Sequence, residues 1–193
     1  MKIGVLALQG AFARHAEVLR ALGAAPVEVR QPADLEGVAG LVLPGGESTT
    51  MSGLLATSGL FDVVAERLSE GLAVLGTCAG MILLANDVAG GRADQASFGA
   101  LDIGVRRNAY GRQVFSFEAD ISLDDVDAPA RPFHAVFIRA PVVERCGAGV
   151  EVLATLEGRA VVVRARDRPV MACSFHPELS DDSRLHELFL KTV

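Results

Sequence analysis

The sequence predicts an α/β fold of three layers: an open, mostly parallel or mixed central sheet with helices on both faces. Three observations lead there. Short uninterrupted apolar runs have the composition of strands buried on both sides. Segments with apolar residues at helical spacing separate those runs. Their alternation has the spacing of βαβ units, whose strands are parallel. The 193 residues correspond to a single domain, 1–193, and a composition 50% hydrophobic and 22% charged supplies a sizeable core.

The elements follow in order. Ile3–Leu8 is a continuous apolar run and the first strand. Ala11–Leu22 carries Phe12, His15, Leu19 and Leu22 at helical spacing, with Gly23 as a stop. Val27–Val29 and Gly40–Leu43 are the next strands, the latter ended by Pro44-Gly45-Gly46. Thr49–Thr57 and Phe61–Ser69 are helical pieces separated by Ser58-Gly59. Ala73–Leu75 is a fourth strand, and Ala79–Asp87 is expected to be a helix. The second half is richer in β pattern: Val114–Ile121, Ala135–Ile138, Val150–Leu156, Ala160–Ala165 and Val170–Phe175, with turns such as Glu157-Gly158. Hairpins are expected there. Ser180 is positioned to cap a last helix, Asp182–Lys191, with Leu185, Leu188 and Phe189 on one stripe. Residues Gly90–Ala100 and Ser122–Pro132 are expected to be loops.

Composition narrows the partners. Eighteen Lys and Arg against 24 Asp and Glu leave a net charge of −6, so a nucleic-acid groove or an anionic membrane surface is not expected. Aromatic residues are 5% of the chain, too few for base-stacking platforms. Mean hydropathy is high, at +0.35. The most apolar stretch, Leu72–Ala85, is nevertheless interrupted by Gly76, Thr77 and Gly80 and is too short to span a bilayer. The start, MKIGVLALQG, lacks the pattern of a signal peptide. Cys78, Cys146 and Cys173 are an odd count without a CxxC pair, which points to a reducing cytoplasm rather than a disulfide framework.

Chemistry concentrates in three segments. In LAVLGTCAGMILLA, a buried strand runs into Gly76-Thr77-Cys78-Ala79-Gly80 and then a helix, which has the form of a nucleophile elbow with Cys in place of Ser. A sharp turn lifts the thiol above the carboxyl edge of the sheet, and a helix N-terminus favours the thiolate. The plainer reading is a buried Cys in a Gly-rich turn. A thiolate needs a base, and the base an orienting group. Ser174-Phe175-His176-Pro177-Glu178 follows an apolar run, and in an extended chain His176 and Glu178 point to the same side. The alternative is a surface turn. Among the four histidines, no two have the spacing of metal ligands, and no metal or organic cofactor is expected. Pro44-Gly45-Gly46-Glu47-Ser48 ends a strand at the same sheet edge, where glycines leave N–H groups open to an oxyanion. Its plainer reading is a strand-to-helix turn capped by Ser48.

Taken together, GTCAG, PGGES and SFHPE resemble the class I, or triad, glutamine amidotransferases, whose fold is flavodoxin-like. LALQGAF, LPGGESTTM, GTCAGMILLA, RRNAYGRQVFSFEAD, FIRAP and CSFHPEL are more specifically similar to the glutaminase subunits of two-component pyridoxal 5′-phosphate synthases, over essentially the whole chain. The resemblance implies hydrolysis of L-glutamine to L-glutamate and ammonia, with Cys78 as nucleophile, His176 as general base and acid, and Glu178 orienting His176. It implies oxyanion donors at Gly46 and Ala79 and glutamine contacts at Gly46, Glu47, Ser48, Arg107, Ile138 and Arg139. An Arg fork suits a carboxylate, although Arg107 and Arg139 taken singly read as surface ion-pair formers. Arg106 stands where relatives are expected to carry an acidic residue.

The resemblance also implies a partner. One glutaminase domain uses up the chain, so ammonia must pass to a synthase subunit, in a large hetero-oligomer, that builds pyridoxal 5′-phosphate from two sugar phosphates. Gln9-Gly10 and the first helix are expected near the docking face, close to Gly45-Gly46. The isolated subunit is expected to be a poor glutaminase, because docking sets the oxyanion donors. Rival readings are a triad γ-glutamyl hydrolase, a glutaminase serving another synthase, and a non-catalytic regulatory subunit on the same fold.

Overall fold

The computed structural model describes residues 1–92, 94–107, 116–123, 126 and 130–193. Its first half runs β1 (Lys2–Leu6), α1 (Phe12–Ala21), β2 (Ala25–Val29), β3 (Gly40–Leu43), α2 (Ser48–Thr57), α3 (Leu60–Ser69), β4 (Ala73–Thr77) and α4 (Ala79–Leu84). The second half runs β5 (Ala85–Ala89), β6 (Leu101–Arg106), β7 (Ser116–Ile121), β8 (Phe133–Ile138), β9 (Val142–Cys146), β10 (Val150–Leu156), β11 (Arg159–Ala165), β12 (Val170–Cys173) and α5 (Arg184–Leu190).

The central sheet has the order β10-β11-β12-β4-β3-β1-β2. Its pairs from β12 to β2 are parallel, and β10 and β11 join as an antiparallel run, so the sheet is mixed as the β-rich second half predicts. In the register, Leu43 lies opposite Gly76 and Thr77 opposite Cys173. The carboxyl ends of β3, β4 and β12 therefore stand side by side, where open α/β sheets place their sites.

Alternation along each buried strand divides the core. Leu41 and Leu43 pack with Met51 and Leu55 of α2, Val64 of α3 and the apolar residues of α4. Val42 between them faces the other layer, with Leu19 of α1, Leu185 and Phe189 of α5, and Phe133 and Phe137 of β8. Two smaller sheets complete the layers: β5-β6-β9 on the first face and the antiparallel pair β7-β8 on the second.

Several boundaries differ from expectation. The helix expected over 79–87 stops at Leu84, because Ala85–Ala89 turns extended and pairs in parallel with β6. Strands β6 and β9 were not predicted. They belong to the small sheet, where β9 has two buried residues followed by three exposed ones. Ser180 does not cap the last helix: α5 begins at Arg184 after Ser183, and Ser180 Oγ instead accepts from the Asp182 N–H. His134, expected before a strand, lies within β8. Val114 and Phe115 of the expected strand 114–121 lie outside the described residues, as do Ala93 and parts of 122–132. Among the described residues, no helix is long and apolar enough to cross a membrane.

Candidate active site

Strand β4 delivers Cys78 to the sheet edge. The residue has φ 49° and ψ −102°, a strained conformation for a side-chain-bearing residue, and α4 starts immediately after it. The glycines beside it are required by close approach. A Cβ on Gly80 would lie 2.0 Å from the Leu43 carbonyl oxygen, and one on Gly76 would lie 2.7 Å from the Gly80 carbonyl. Cys78 N–H donates to the Cys173 carbonyl at 2.9 Å, which ties the elbow to β12. The thiol is 3.8 Å from the Ile138 carbonyl oxygen. Cys173 is fully buried, and burial pushes its thiol well up, whereas Cys146 lies on the small sheet away from this edge.

His176 lies just past the end of β12, and its N–H donates to the Val136 carbonyl at 2.9 Å. Its Nδ1 is 2.8 Å from Glu178 Oε1, and the ring lines the same cavity as the Cys78 side chain. The expected pairing of imidazole and carboxylate is present, but not through extended chain. Pro177–Leu179 is a turn of 3₁₀ helix, and its curl brings Glu178 back under the ring. Burial works to lower the His176 pKa. The neighbouring Cys78 and Glu178 side chains override it and raise the group to about 10. Burial would raise Glu178, yet the bond from His176 and the neighbouring His15 hold its carboxyl below the usual range. Sulfur, imidazole and carboxylate thus form one buried line, with the imidazole held in its protonated form.

A cavity of 150 Å³ opens beside this line, lined by Gly46, Glu47, Ser48, Cys78, Ile82, Arg107, Ile138, Arg139 and His176. Every residue expected to touch glutamine is in that set. Ser48 is not the helix cap. Glu47 is, accepting from the N–H groups of Thr49 at 3.1 Å and Thr50 at 2.7 Å. Ser48 Oγ is left buried beside the cavity without a hydrogen-bond partner among the described residues. Burial works to raise the Glu47 carboxyl, but the Thr50 and Thr49 bonds and Arg107 bring it down to about 2.

Arg107 is engaged rather than free. It reaches Glu47 Oε1 at 2.6 Å, Thr49 Oγ1 at 2.7 Å and Gln95 Oε1 at 2.8 Å. Arg139 has φ 46° and lines the cavity with an exposed side chain. Of the expected oxyanion donors, Gly46 lines the cavity, whereas Ala79 begins α4 beside Cys78 and is not in the lining. Arg106 turns away and pairs with Glu144 of β9 at 2.5 Å, so its departure from the acidic expectation does not touch the cavity. Gln9 Oε1 accepts from the Glu47 N–H at 2.9 Å, and Gly10 lies against the Gly45 carbonyl, so the first loop does adjoin the glycine loop as expected. Residues Asn108–Gln113 of the RRNAYGRQ segment lie outside the described residues.

Sequence reasoning passed over Gln95, His15 and His186. Gln95 belongs to the 90–100 loop, to which no role was given, yet it bonds both Arg107 and Thr49. His15 and His186 were placed only as members of helical patterns. Both are fully buried, and His15 Nε2 lies 3.3 Å from Glu178 Oε2. Their position on apolar stripes was the available signal, since a histidine at a core position needs a polar partner. No group of three His, Cys, Asp or Glu side chains among the described residues is arranged to hold a metal ion.

An open α/β sheet that carries a strained cysteine, a histidine and a carboxylate at its carboxyl edge defines a class of cysteine-centred amidotransferase folds. A solved structure described as a glutamine amidotransferase superposes with TM-score 0.91 at 50% identity, covering 98% of this chain and 97% of that one. The pyridoxal 5′-phosphate synthase subunit PdxT of Frankia alni is 54% identical over 192 residues, covering 100% of this chain and 94% of the relative. The subunit of the same description from Corynebacterium jeikeium is 52% identical over 193 residues, covering 100% and 97%. The model of the SNO glutamine amidotransferase family matches residues 5–193, and the chain belongs to that family.

Proposed function

We propose that this chain is a single glutaminase domain that hydrolyses L-glutamine and hands the ammonia to a synthase subunit making pyridoxal 5′-phosphate. The observation that carries the reading is the buried line Cys78–His176–Glu178 at the wall of a small polar cavity. Family membership and full-length similarity to pyridoxal 5′-phosphate synthase subunits supply the substrate and the partner.

The Cys78 thiolate attacks the side-chain carboxamide carbon of glutamine, and the carbonyl electron pair moves onto oxygen. The Gly46 and Ala79 N–H groups are the assigned oxyanion donors. His176, held by Glu178, gives its proton to the amide nitrogen. The C–N bond breaks, ammonia leaves and a glutamyl thioester remains. Water then loses a proton to His176 and attacks the thioester, releasing glutamate and restoring thiolate and imidazolium. Arg139 has no hydrogen bond or ion pair among the described residues and is the best-placed fork for the substrate carboxylate. Arg107, already bound to Glu47, Thr49 and Gln95, acts on substrate through the loop it braces. Ser48 Oγ, buried and without a partner among the described residues, is a further substrate contact. The surroundings implied are cytoplasmic, in keeping with three unpaired cysteines.

The test is Cys78→Ala in the assembled synthase. Glutamine-dependent pyridoxal 5′-phosphate formation should vanish while formation from ammonium salts persists. Loss of both activities would instead mark an assembly role, and unchanged glutamine turnover would remove Cys78 from the chemistry.

A further inference from the structure

The line of polar groups does not end at Glu178. Beyond it, in the core between α1, α5 and the sheet, His15 and His186 continue it. His15 Nε2 is 3.3 Å from Glu178 Oε2 and 3.3 Å from Thr77 Oγ1, and His15 Nδ1 is 2.9 Å from His186 Nε2. All of these side chains are at most 1% exposed. By hydrogen-bond geometry the His15 Nε2 contact goes to Thr77 Oγ1, and Glu178 Oε2 and His186 Nδ1 are left buried with no hydrogen-bond partner among the described residues.

Hydrogen-bond polarity then fixes the protons. An ionised carboxylate only accepts, so His176 Nδ1 presents N–H to Glu178 Oε1, and an N–H on His15 Nε2, donating to Thr77 Oγ1, lies 3.3 Å from the otherwise unpartnered Oε2. If His15 Nε2 were bare, its lone pair would face a carboxylate oxygen in a buried site. A neutral His15 with its proton on Nε2 has a bare Nδ1, which must accept from His186 Nε2–H. His186 Nδ1 is consequently the bare nitrogen. The end of the chain is thus an empty lone pair rather than an orphaned N–H, the less costly of the two. Burial lowers His15 to about 4 and His186 to about 3, so both rings are neutral near pH 7.

We propose that His15 and His186 are positioning residues for the proposed glutaminase: His186 locks the tautomer of His15, and the His15 Nε2–H, bonded to Thr77 and lying against the second oxygen of Glu178, keeps the first oxygen aligned on His176. The proposal rests on the reading of Cys78, His176 and Glu178 as the reacting line. Through Glu178 it connects a helix from each end of the chain, α1 and α5, to the imidazole. A hydrophobic residue of like shape would fill the same space without supplying the N–H.

The test compares His15→Phe, which keeps the bulk, with His15→Gln, which restores an N–H near the Nε2 position. Turnover of glutamine is measured in the assembled synthase. In parallel, peptide-resolved alkylation of Cys78 by iodoacetamide is followed from pH 4 to 9. Other titratable or charged groups facing this line are Cys78 on the elbow, Cys173 on β12, and Glu47, Arg107 and Arg139 across the cavity.

His15→Phe should lower kcat about tenfold with KM little changed, the scale of removing one polar contact beside a buried charge. It should also move the acid limb of Cys78 alkylation up by about one pH unit, because Glu178 takes a proton more readily without the neighbouring N–H. His15→Gln should recover most of both. His186→Phe should reproduce part of the effect. Identical behaviour of the Phe and Gln variants in both assays would overturn the proposal. Alkylation needs no glutamine, so a parent protein inactive on glutamine whose Cys78 profile still shifts in His15→Phe would sink the glutaminase reading and keep the positioning role. If His15→Phe does not fold, nitrogen-15 spectra of the histidines in the parent protein decide. Neutral rings protonated on Nε2 at His15 and His186 support the proposal, and an Nδ1 proton or an imidazolium at His15 at pH 7 overturns it.

Discussion

The imidazole of His176 stands where a side chain at position 45 would be. A Cβ on Gly45 would fall 2.3 Å from His176 Cε1, so the glycine is a condition for the ring's placement and not only a flexible link. Gly45→Ala should therefore displace the ring from Cys78 and reduce glutamine turnover about a hundredfold, the usual scale for a misplacement near 1 Å. Steady-state kinetics on a variant with unchanged circular dichroism would check it, and full activity would count against the assigned geometry. Glu47 offers a pH test. Its carboxyl is at about 2 when folded, below the ordinary 4.5, so its contribution is complete above the unfolded value and is lost as the pH falls from there through 2. Thermal midpoints of the parent should fall over that window. Those of Glu47→Gln should fall less steeply, although the half-exposed side chain keeps the difference small.

At the scale of elements, the elbow depends on how closely α4 approaches β3. Gly80→Ala would put a methyl 2.0 Å from the Leu43 carbonyl and should cost about 3 kcal/mol, the upper range for overpacking. Urea denaturation measures it, and a loss under 1 kcal/mol would mean that the helix can slide. The parallel strands were legible in the sequence because burial on both faces leaves unbroken apolar runs such as Gly40–Leu43 and Ala73–Leu75. Strands β5, β6 and β9 were not, since each mixes buried and exposed residues over five or six positions and has meaning only beside its partners. The cysteine elbow and the His–Glu pair were visible as local motifs. Gln95 and the His15–His186 pair were not, because their partners lie far along the chain and no short spacing records the contact.

At the scale of the molecule, the cavity is assembled from the loops after β3, β4, β6, β8 and β12. A ligand that bridges those segments stabilises the whole fold by linkage. L-Glutamine at a hundred times its Kd should stabilise the Cys78→Ala protein by about 2.7 kcal/mol. Thermal denaturation with L- and D-glutamine would read it, and an equal response to both would argue against a built substrate site. The pairing of β4 with β12 also has a consequence in time. Thr77 meets Cys173 across nearly half of the chain, and a ribosome delivers the N-terminal residues first. The growing polypeptide therefore carries its sulfur for several seconds before its imidazole has been made. Through that interval it holds a cysteine without a base, and only completion of translation switches the chemistry on.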